Sequence, residues 1–380
     1  MTASEENGSN GHHQHREPLQ LSGALDGVDF FDVTPCIGRE YRNVDLSEWL
    51  NAPNSDELLR DLAITISQRG VVFFRQQDGI NDQNQKKLMR RLSQLAGTPN
   101  ASGLHIHPIA AVSEEARAHK GDDEEIMIIS SRFKEKMGKV YKDTRQSQAD
   151  IAADKRADKV YDKAQPTKKQ SMKTEWHSDI AFEPNPADYT MLRLTEVPPT
   201  GGDTLWASGY ELFERISEPY QRFLETLTAS YHYAGIEVFK AVGERYGFKI
   251  HQGPRGSPEN VGDALTAVHP VVRTNPVTGW KSLYAIGHHM KQINGVSVDE
   301  GKSLEDWFIR LIVENHDIIA RHRWHNVNDL AIWDNRSTFH AATPDHAASG
   351  HRTGHRAVSV GEKPYFDPES KSRKEALGLA

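Results

Sequence analysis

The chain has 380 residues, of which 37% are hydrophobic and 26% charged, so it contains enough apolar material for a substantial core. Its formal net charge of -7 at pH 7 argues against a nucleic-acid-binding protein, which usually has a basic face. No run of about 18 or more apolar residues occurs, so a membrane span is not expected.

The N-terminal sequence and the cysteine content both favour the cytoplasm. Residues 1–18 lack the apolar stretch of a secretory signal and carry acidic residues, which mitochondrial transit peptides avoid. The single cysteine, Cys36, cannot form a disulfide within the chain and suits a reducing compartment. The C-terminal residues Gly378, Leu379 and Ala380 are not a peroxisomal signal. We therefore expect a cytoplasmic protein without nucleic-acid or membrane partners.

The first part of the chain is predicted to contain a polar tail and two helices with a strand between them. Residues 1–25 include a tract rich in Gly, Ser and Asn that cannot bury a core, which predicts a disordered tail. Leucines and isoleucines at helical spacing within residues 56–70, with Gly70 at the end, predict a helix with a glycine stop. The run Val71–Phe74 predicts a buried strand, and residues 81–95 predict a second amphipathic helix.

A long polar stretch separates the strand-like run at residues 126–129 from Trp176. Residues 132–173 are dominated by Lys, Asp, Arg, Gln and Ala and have no sustained apolar face. A segment of this length is unusual as a simple connection within a compact domain. It is therefore a charged insertion, and it is either a solvated surface excursion or a lid over a site.

After Trp176 the sequence changes to short apolar runs separated by Pro and Gly. One helix interrupts them: Ser297 and Glu300 form a capping-box signature, and an apolar stripe follows that includes Ile319. Many short strands with few helices favour a mainly β fold of the α+β class, closed or sandwiched, over a doubly wound sheet. No internal repeat is evident, so residues 26–380 are expected to form one domain. The predicted strands are 189–197, 204–207, 269–273, 282–286, 330–333 and 357–360.

The segment Trp176–Asp179 contains candidate metal ligands. Residues two apart on a strand point to the same face, so the His177 imidazole and the Asp179 carboxylate can converge on one ion. For these two alone, a hydrogen-bonded pair at a strand end is the alternative. His340 would complete a set of two histidines and one carboxylate. Such a set leaves coordination positions open and is typical of non-haem Fe(II) oxygenases rather than of closed zinc sites.

A 2-oxo acid could occupy the open positions of such an iron, and the sequence after His340 contains a cationic residue that could bind its far end. A 2-oxo acid can chelate the metal through its keto oxygen and C1 carboxylate, which leaves one position for O2. Its distant carboxylate then requires a cation, and a guanidinium binds carboxylate through two parallel hydrogen bonds. Arg352, twelve residues after His340, could reach this group if the chain turns once between them. Thr204 is the candidate hydroxyl donor to the same carboxylate.

Six motifs follow one another along the chain: LHIHP (104–108), WHSDIAFEP (176–184), PPTGGDTLWAS (198–208), HPVVRTNP (269–276), IWDNRSTFH (332–340) and HRTGHRAVSVGEKP (351–364). Together they resemble the taurine/2,4-dichlorophenoxyacetate dioxygenase (TauD/TfdA) family of Fe(II)/2-oxoglutarate enzymes. The resemblance extends from about residue 26 to residue 366. The charged insertion resembles that of fungal-type sulfonate dioxygenases more than the compact bacterial enzymes.

The resemblance implies a dioxygenase that uses Fe(II), 2-oxoglutarate and O2 to oxidise a C–H bond of a small acidic substrate, with release of succinate and CO2. It assigns the iron, and with it the catalytic centre, to His177, Asp179 and His340. It assigns the C5 carboxylate of 2-oxoglutarate to Arg352 and Thr204. The family fold is a double-stranded β-helix, or jelly roll, which agrees with the many short strands.

The resemblance also implies a substrate site, with two departures from the family pattern. In the taurine enzymes, the residues that match His107 and Arg356 hold the substrate sulfonate. Those enzymes have a tyrosine where this chain has Ala110, and an asparagine toward the taurine amine where it has Lys173. A cation at Lys173 would repel an ammonium group, so taurine itself is not the expected substrate.

Several alternatives stay open at the level of sequence. Tyr284 and Phe239 could line the substrate pocket, although core packing is the commoner role of such aromatic residues. Arg356 could be a structural strand residue, and His107 could be a turn histidine. A sulfonate is favoured, but a carboxylate or amino acid substrate, with hydroxylation, desaturation or cyclisation, fits the same residues. A catalytically silent jelly-roll metal-binding protein is the alternative from another class, and a homo-oligomer is not excluded.

Overall fold

Strands dominate the structure of this protein, and helices pack against them. The computed structural model describes residues 16–109, 123–132, 172–233, 236, 250–346 and 349–379. Within these residues the strands form one seven-stranded sheet, two three-stranded sheets and one two-stranded sheet.

The large sheet contains strands from both ends of the chain. They are β1 (Phe30–Asp32), β2 (Arg39–Tyr41), β3 (Val71–Phe74), β4 (Met127–Ser130), β5 (Ala187–Glu196), β13 (Leu330–Asp334) and β15 (Thr353–Val360). Their order across the sheet is β1-β2-β3-β13-β5-β15-β4. Adjacent strands run antiparallel except β2 and β3, which run parallel.

The remaining strands form three small sheets. The first has the order β12-β6-β14, and its strands are β6 (Thr204–Ser208), β12 (Ile319–His322) and β14 (Thr338–Ala342). The second has the order β11-β7-β8, and its strands are β7 (Thr228–His232), β8 (Thr266–Pro270) and β11 (Met290–Asn294). The third pairs β9 (Val272–Thr274) with β10 (Lys281–Leu283).

Seven α-helices accompany these sheets within the described part of the chain. They are α1 (Leu46–Asn51), α2 (Ser55–Arg69), α3 (Asp82–Leu95), α4 (Gly209–Glu214), α5 (Glu218–Leu224), α6 (Val298–Val313) and α7 (Arg373–Leu377). Helices α2 and α3 pack on the large sheet, whereas α4, α5 and α6 contribute to a second core around the small sheets.

Alternating residues of β3 show why the large sheet is buried on both faces. Val72 and Phe74 belong to the apolar cluster that contains α2 and α3. Val71 and Phe73 belong to another cluster, which includes Trp206 of β6. Since side chains alternate across a strand, the helices cover one face and the small sheet covers the other. The two facing sheets form the expected double-stranded β-helix, and the fold is mainly β with flanking helices.

The sequence predicted the first elements closely. The helix that ends before Gly70, the strand Val71–Phe74 and the helix that begins after Asn81 are all present. The predicted strand at 269–273 is interrupted, because Val271 separates β8 from β9. The predicted strand at 282–286 is shorter than expected and ends at residue 283.

The capping box at the start of α6 is present as predicted, with the Ser297 hydroxyl accepting from the Glu300 N–H. The prediction that Ile319 belongs to the apolar stripe of this helix is wrong. The helix ends at Val313, and Ile319 begins β12, where it pairs with Ala207 of β6. A β-branched residue suits either position, so the residue type alone did not decide between them.

The prediction of a disordered tail through residue 25 is wrong for its last part. The Asp61 carboxylate of α2 accepts hydrogen bonds from the backbone N–H groups of Ser22, Gly23 and Ala24. Leu25 is 7% exposed and joins the core beneath the large sheet. The packed domain therefore begins before residue 26.

Most of the charged insertion, residues 133–171, lies outside the described residues. The choice between a surface excursion and a lid therefore stays a prediction. Among the residues that the structure describes, no helix combines the length and the apolar character that crossing a membrane requires.

Candidate metal centre

The three predicted ligands lie together where β14 meets the segment that follows the 3₁₀ helix Lys173–Glu175. The ligand atoms of His177, Asp179 and His340 are all within 4.8 Å of one another. Asp179 Oδ1 is 4.0 Å from His177 Nε2 and 3.8 Å from His340 Nε2. The structure thus brings two imidazoles and one carboxylate close enough to share a single ion.

Backbone hydrogen bonds hold His177 opposite His340. The two residues form an isolated antiparallel bridge, in which each N–H donates to the carbonyl of the other at 3.1 and 2.9 Å. On its other side, His177 forms a bridge with Gly287, whose φ is +115°. A Cβ on Gly287 would lie 2.9 Å from the His177 Cα, so this approach requires glycine. The expectation that His177 and Asp179 share a strand is wrong, because Asp179 lies in a turn.

The protonation of these three groups fits a divalent metal ion. The His177 Nδ1–H donates to the Glu175 carbonyl at 2.7 Å, which leaves the Nε2 lone pair for a metal. Burial, together with His177, lowers the pKa of His340 to about 3, so this ring is neutral. Burial opposes ionisation of Asp179, but Arg356 and the two histidines hold the pKa of its carboxyl below the usual range. Two neutral imidazoles and one carboxylate suit Fe(II).

The structure also places Arg352 and Thr204 together, as predicted. Arg352 is 6% exposed, and its Nη2 donates to Thr204 Oγ1 at 3.2 Å while its Nε donates to the Gly202 carbonyl at 2.9 Å. Burial lowers the pKa of Arg352 to about 10, so it is still a cation at neutral pH, and Asp203 opposes the shift. Within the described residues Arg352 forms no ion pair, and a buried cation of this kind favours a bound anion.

Thr204 has a proton left for such an anion. Its Oγ1 accepts from Arg352 Nη2 and from Trp324 Nε1, the latter at 3.1 Å. These two donors use both lone pairs of the hydroxyl oxygen, so the O–H itself must donate elsewhere. Arg352 and Thr204 can therefore offer N–H and O–H donors to one carboxylate.

The separation between this pair and the metal ligands suits a five-carbon keto diacid. Thr204 of β6 pairs with Ala342 of β14, and His340 lies two residues earlier on the same strand. Two residues of a strand span roughly 6.6 Å. Paired residues on neighbouring strands lie on one face, so a 2-oxoglutarate chelated at the metal can extend its C5 carboxylate toward Arg352.

Arg356 lies directly against a metal ligand. Its Nη1 donates to Asp179 Oδ1 at 2.6 Å, and its Nη2 is 2.9 Å from Met127 Sδ. Its Nε is buried and has no hydrogen-bond partner among the described residues. Burying such a donor is costly unless an acceptor can reach it, so Arg356 is suited to a further anion.

His107 is close enough to Arg356 to be affected by its charge. Burial, His105 and Arg356 hold the pKa of His107 well below its ordinary value, so the ring is neutral. Its Nδ1 accepts from the Ile109 N–H at 3.2 Å, which leaves the proton on Nε2. His107 can therefore act as a hydrogen-bond donor beside the guanidinium.

A belt of rings connects His107 to the metal ligand His177, and no sequence pattern described above predicted it. The ring belt consists of Tyr233, Phe182, His289 and His288. Successive rings are 4.9, 5.0 and 4.2 Å apart between centroids. The first ring lies 5.8 Å from His107, and the last lies 4.5 Å from His177. The two consecutive histidines directly after Gly287 are the sequence feature that could have indicated these rings.

A buried ionic network supports the segment that contains His107. His105 Nε2 is 3.0 Å from Glu183 Oε1, and Arg255 donates to both oxygens of Glu183 at 2.6 and 2.8 Å. Glu183 is fully buried, and Arg255 and His105 hold its pKa below the usual range although burial opposes this. The network ties the turn after Asp179 to the LHIHP segment.

For three of the predicted substrate-binding residues, the structure gives no support for a place in the substrate site. Lys173 is exposed and lies near Asp306 of α6: the hydrogen bond from Lys302 lowers the pKa of that carboxyl, and the charges of Lys173 and Arg310 add to the effect. Tyr284 is 1% exposed and packs in the core around the small sheets, which favours the core-packing alternative over a place in the pocket wall. Phe239, like Ala110, lies outside the described residues.

Comparison with known proteins decides the family. The family described as "Taurine catabolism dioxygenase TauD, TfdA family" matches residues 29–358. The chain belongs to this family. It is 48% identical to the alpha-ketoglutarate-dependent dioxygenase btcD of Neocamarosporium betae, over 95% of this chain and 98% of that protein. It is 28% identical to the alpha-ketoglutarate-dependent sulfonate dioxygenase of Saccharomyces cerevisiae, over 88% of this chain and 67% of that protein.

Solved structures agree with this family at the level of the fold. A taurine dioxygenase from Burkholderia xenovorans is 21% identical and superposes with a TM-score of 0.60, covering 90% of this chain and 94% of that one. This TauD/TfdA protein is therefore a 2-oxoglutarate-dependent dioxygenase with a jelly-roll core, and it uses Fe(II), 2-oxoglutarate and O2.

Proposed function

We propose that this dioxygenase oxidises a C–H bond of a small monoanionic substrate, with a sulfonate as the first candidate and a carboxylate as the second. The observation that carries the proposal is Arg356, a guanidinium that contacts the metal ligand Asp179 and whose buried Nε finds no acceptor in the part of the chain that the structure describes. His107 offers a second donor beside it.

The charges around the site favour a monoanion. Arg352 and Arg356 bring two positive charges, and Asp179 brings one negative charge. With Fe(II) and the dianion 2-oxoglutarate bound, one positive charge remains in excess. A monoanionic substrate neutralises it, whereas a primary ammonium compound would add to it in a poorly solvated site.

The chemistry of the bound groups is that of the family. When bound, Fe(II) and 2-oxoglutarate would activate O2, which is the oxidant: 2-oxoglutarate is oxidised to succinate and CO2 and takes up one oxygen atom, and the other oxygen atom serves to oxidise the substrate. The protein orients the participants: Arg352 and Thr204 hold the C5 carboxylate, and Arg356 and His107 hold the substrate anion.

The names of the relatives support a sulfonate without deciding for it. The S. cerevisiae relative is named a sulfonate dioxygenase, whereas btcD, which is more similar to this chain, is named without a substrate. A guanidinium binds sulfonate and carboxylate alike, so the carboxylate alternative stays. The complete ligand set and the dioxygenase relatives argue against a catalytically silent metal-binding protein.

Oxygen consumption tests the proposal. The enzyme, supplied with Fe(II) and 2-oxoglutarate, is presented with alkyl sulfonates, the carboxylates of equal chain length and the matching primary amines. We expect anions to stimulate O2 uptake and succinate release above the substrate-free rate, and amines not to do so. Stimulation by amines alone would overturn the proposed role of Arg356.

We also propose a cytoplasmic location. Burial raises the pKa of the Cys36 thiol, so this single cysteine stays protonated and is suited to a reducing compartment. Imaging of a tagged chain together with compartment markers would test the proposal.

A further inference from the structure

The second oxygen of the iron ligand Asp179 is held by a buried hydrogen-bond chain. Thr190 Oγ1 of β5 donates to Asp179 Oδ2 at 2.9 Å, and Asn335 Nδ2 donates to Thr190 Oγ1 at 2.8 Å. Asn335 lies in the turn between β13 and β14, two elements that also carry Trp333 and His340. Thr190 and Asn335 are both fully buried.

Groups that can only donate fix the direction of each hydrogen bond that connects Asn335, Thr190 and Asp179. Asn335 Oδ1 accepts from the Asp179 backbone N–H and from Trp333 Nε1, each at 3.1 Å. Both of these groups can only donate, so the amide oxygen of Asn335 must face them and its NH2 must face Thr190. Thr190 accepts that bond, and its own proton is therefore directed onto Asp179.

This arrangement treats the two oxygens of Asp179 differently. Oδ2 accepts the Thr190 hydroxyl, whereas Oδ1 accepts from Arg356 Nη1 at 2.6 Å and is the oxygen that faces His177 and His340, with their Nε2 atoms 4.0 and 3.8 Å away. The Asp179 N–H is held by the same asparagine, so both the backbone and the carboxylate of this ligand are fixed. The Thr190 hydrogen bond keeps Oδ2 turned away from the two histidines, and with the Arg356 bond to Oδ1 it prevents free rotation of the carboxylate about its last torsion.

We infer that Thr190 and Asn335 are positioning residues that keep Asp179 a ligand through one oxygen, Oδ1. A carboxylate that bound through both oxygens would occupy a further coordination position of the iron. The keto acid needs two positions and O2 a third, so a second oxygen from Asp179 would compete with them. Thr190 and Asn335 serve this purpose for any primary substrate, because neither depends on which anion Arg356 binds.

The replacement Thr190→Val tests the inference, because it removes the hydroxyl and keeps the shape of the side chain. We measure the dissociation constant of Co(II) by calorimetry and, in the absence of O2, that of 2-oxoglutarate from the visible band of its Fe(II) complex. We expect 2-oxoglutarate to bind the metal-loaded variant about tenfold or more weakly. Binding of Co(II) should weaken less than that, because Asp179 can supply both oxygens.

Two further variants make the result specific. Thr190→Ser retains the hydroxyl and should restore binding of 2-oxoglutarate. Thr195→Val is the matched control on the same strand, where the hydroxyl donates to the Thr353 carbonyl at 3.4 Å, and it should bind both ligands as the parent does. A Thr190→Val protein whose metal-loaded form binds 2-oxoglutarate normally would overturn the inference, whether or not its metal affinity had fallen.

The replacement Asn335→Asp tests whether the direction of the hydrogen bond between Asn335 and Thr190 matters. The new carboxylate still accepts from the Asp179 N–H and from Trp333, but it no longer donates to Thr190, whose proton can now turn toward it. We expect the same weakening of 2-oxoglutarate binding as in Thr190→Val, although the hydroxyl is intact. Normal binding in a folded Asn335→Asp protein would reject the role of Asn335. If this variant does not fold, the Thr190 series decides.

Discussion

Arg352 and Arg356 show how two residues of one type acquire different roles within one strand region. Arg352 precedes β15 and is held by Gly202 and Thr204, with no carboxylate bound to it among the described residues. Arg356 lies within β15 and is bound to the metal ligand Asp179. We therefore propose that position relative to the metal, and not residue type, separates the co-substrate residue from the substrate residue.

Arg352→Gln should weaken binding of 2-oxoglutarate by roughly 100-fold, equivalent to about 3 kcal/mol, because the C5 carboxylate would be buried without its cation. Titration of 2-oxoglutarate into the anaerobic Fe(II) protein, followed by its visible band, measures the effect. Arg222→Gln is the control: this arginine of α5 is exposed and pairs with Glu218, so the variant should titrate as the parent does. Equal saturation of parent and Arg352→Gln protein would refute the assignment.

The convergence of His177, Asp179 and His340, and the contact of Arg352 with Thr204, were predictable from sequence because their motifs combine unusual chemistry with fixed spacing. His288 and His289 were not singled out, since a histidine carries no information about its neighbours until the backbone bridge at Gly287 places it beside His177. For Tyr284 the sequence left two roles open, because an aromatic residue that packs in a core looks the same in sequence as one that lines a pocket, and its packing favours the first role.

At the scale of elements, the close contact between Gly287 and His177 connects β10 and β11 to the metal site. Gly287→Ala would place a Cβ 2.9 Å from the His177 Cα at a φ of +115°, so the ligand must move. We expect a loss of Co(II) affinity of about 10- to 100-fold, which calorimetry can measure. Gly378→Ala is the control, since its φ is +67° and no atom lies near the added methyl. Unchanged Co(II) binding by Gly287→Ala would contradict this expectation.

The sequence predicted strands well where both faces are apolar and poorly where they are not. β3 and β13 are continuous buried runs, so their pattern identifies them. β7 and β11 have mixed exposure, and the sequence did not predict them as strands. The segment that forms β14 was identified only as the source of the metal ligand His340, and not as a strand. Their strand conformation comes from pairing with partners far away in the chain, such as β6 for β14, which local pattern does not reveal.

For the whole molecule, buried neutral histidines connect folding to pH. Burial, together with Arg273, lowers the pKa of His269 to about 3, and burial and Arg75 hold the pKa of His322 well below its ordinary value. His269 donates from Nε2 to the Ala181 carbonyl at 2.9 Å, and His322 stacks on Phe73 in the core between the sheets. Neither ring can accept a proton in the folded state near pH 6.

The unfolded chain does bind those protons once the pH falls below about 6.5, so the free energy of unfolding must decrease as the pH is lowered through that value. Between pH 7.5 and 5.5 each histidine should lower it by about 1.4 kcal/mol, hence at least about 3 kcal/mol for His269 and His322 together. Urea denaturation of the metal-free protein at the two pH values measures this difference. His269→Gln keeps an N–H donor for the Ala181 carbonyl and cannot titrate, so it should reduce the difference by about 1.4 kcal/mol. A parent protein equally stable at both pH values would show that these rings are protonated in the folded state, against their burial.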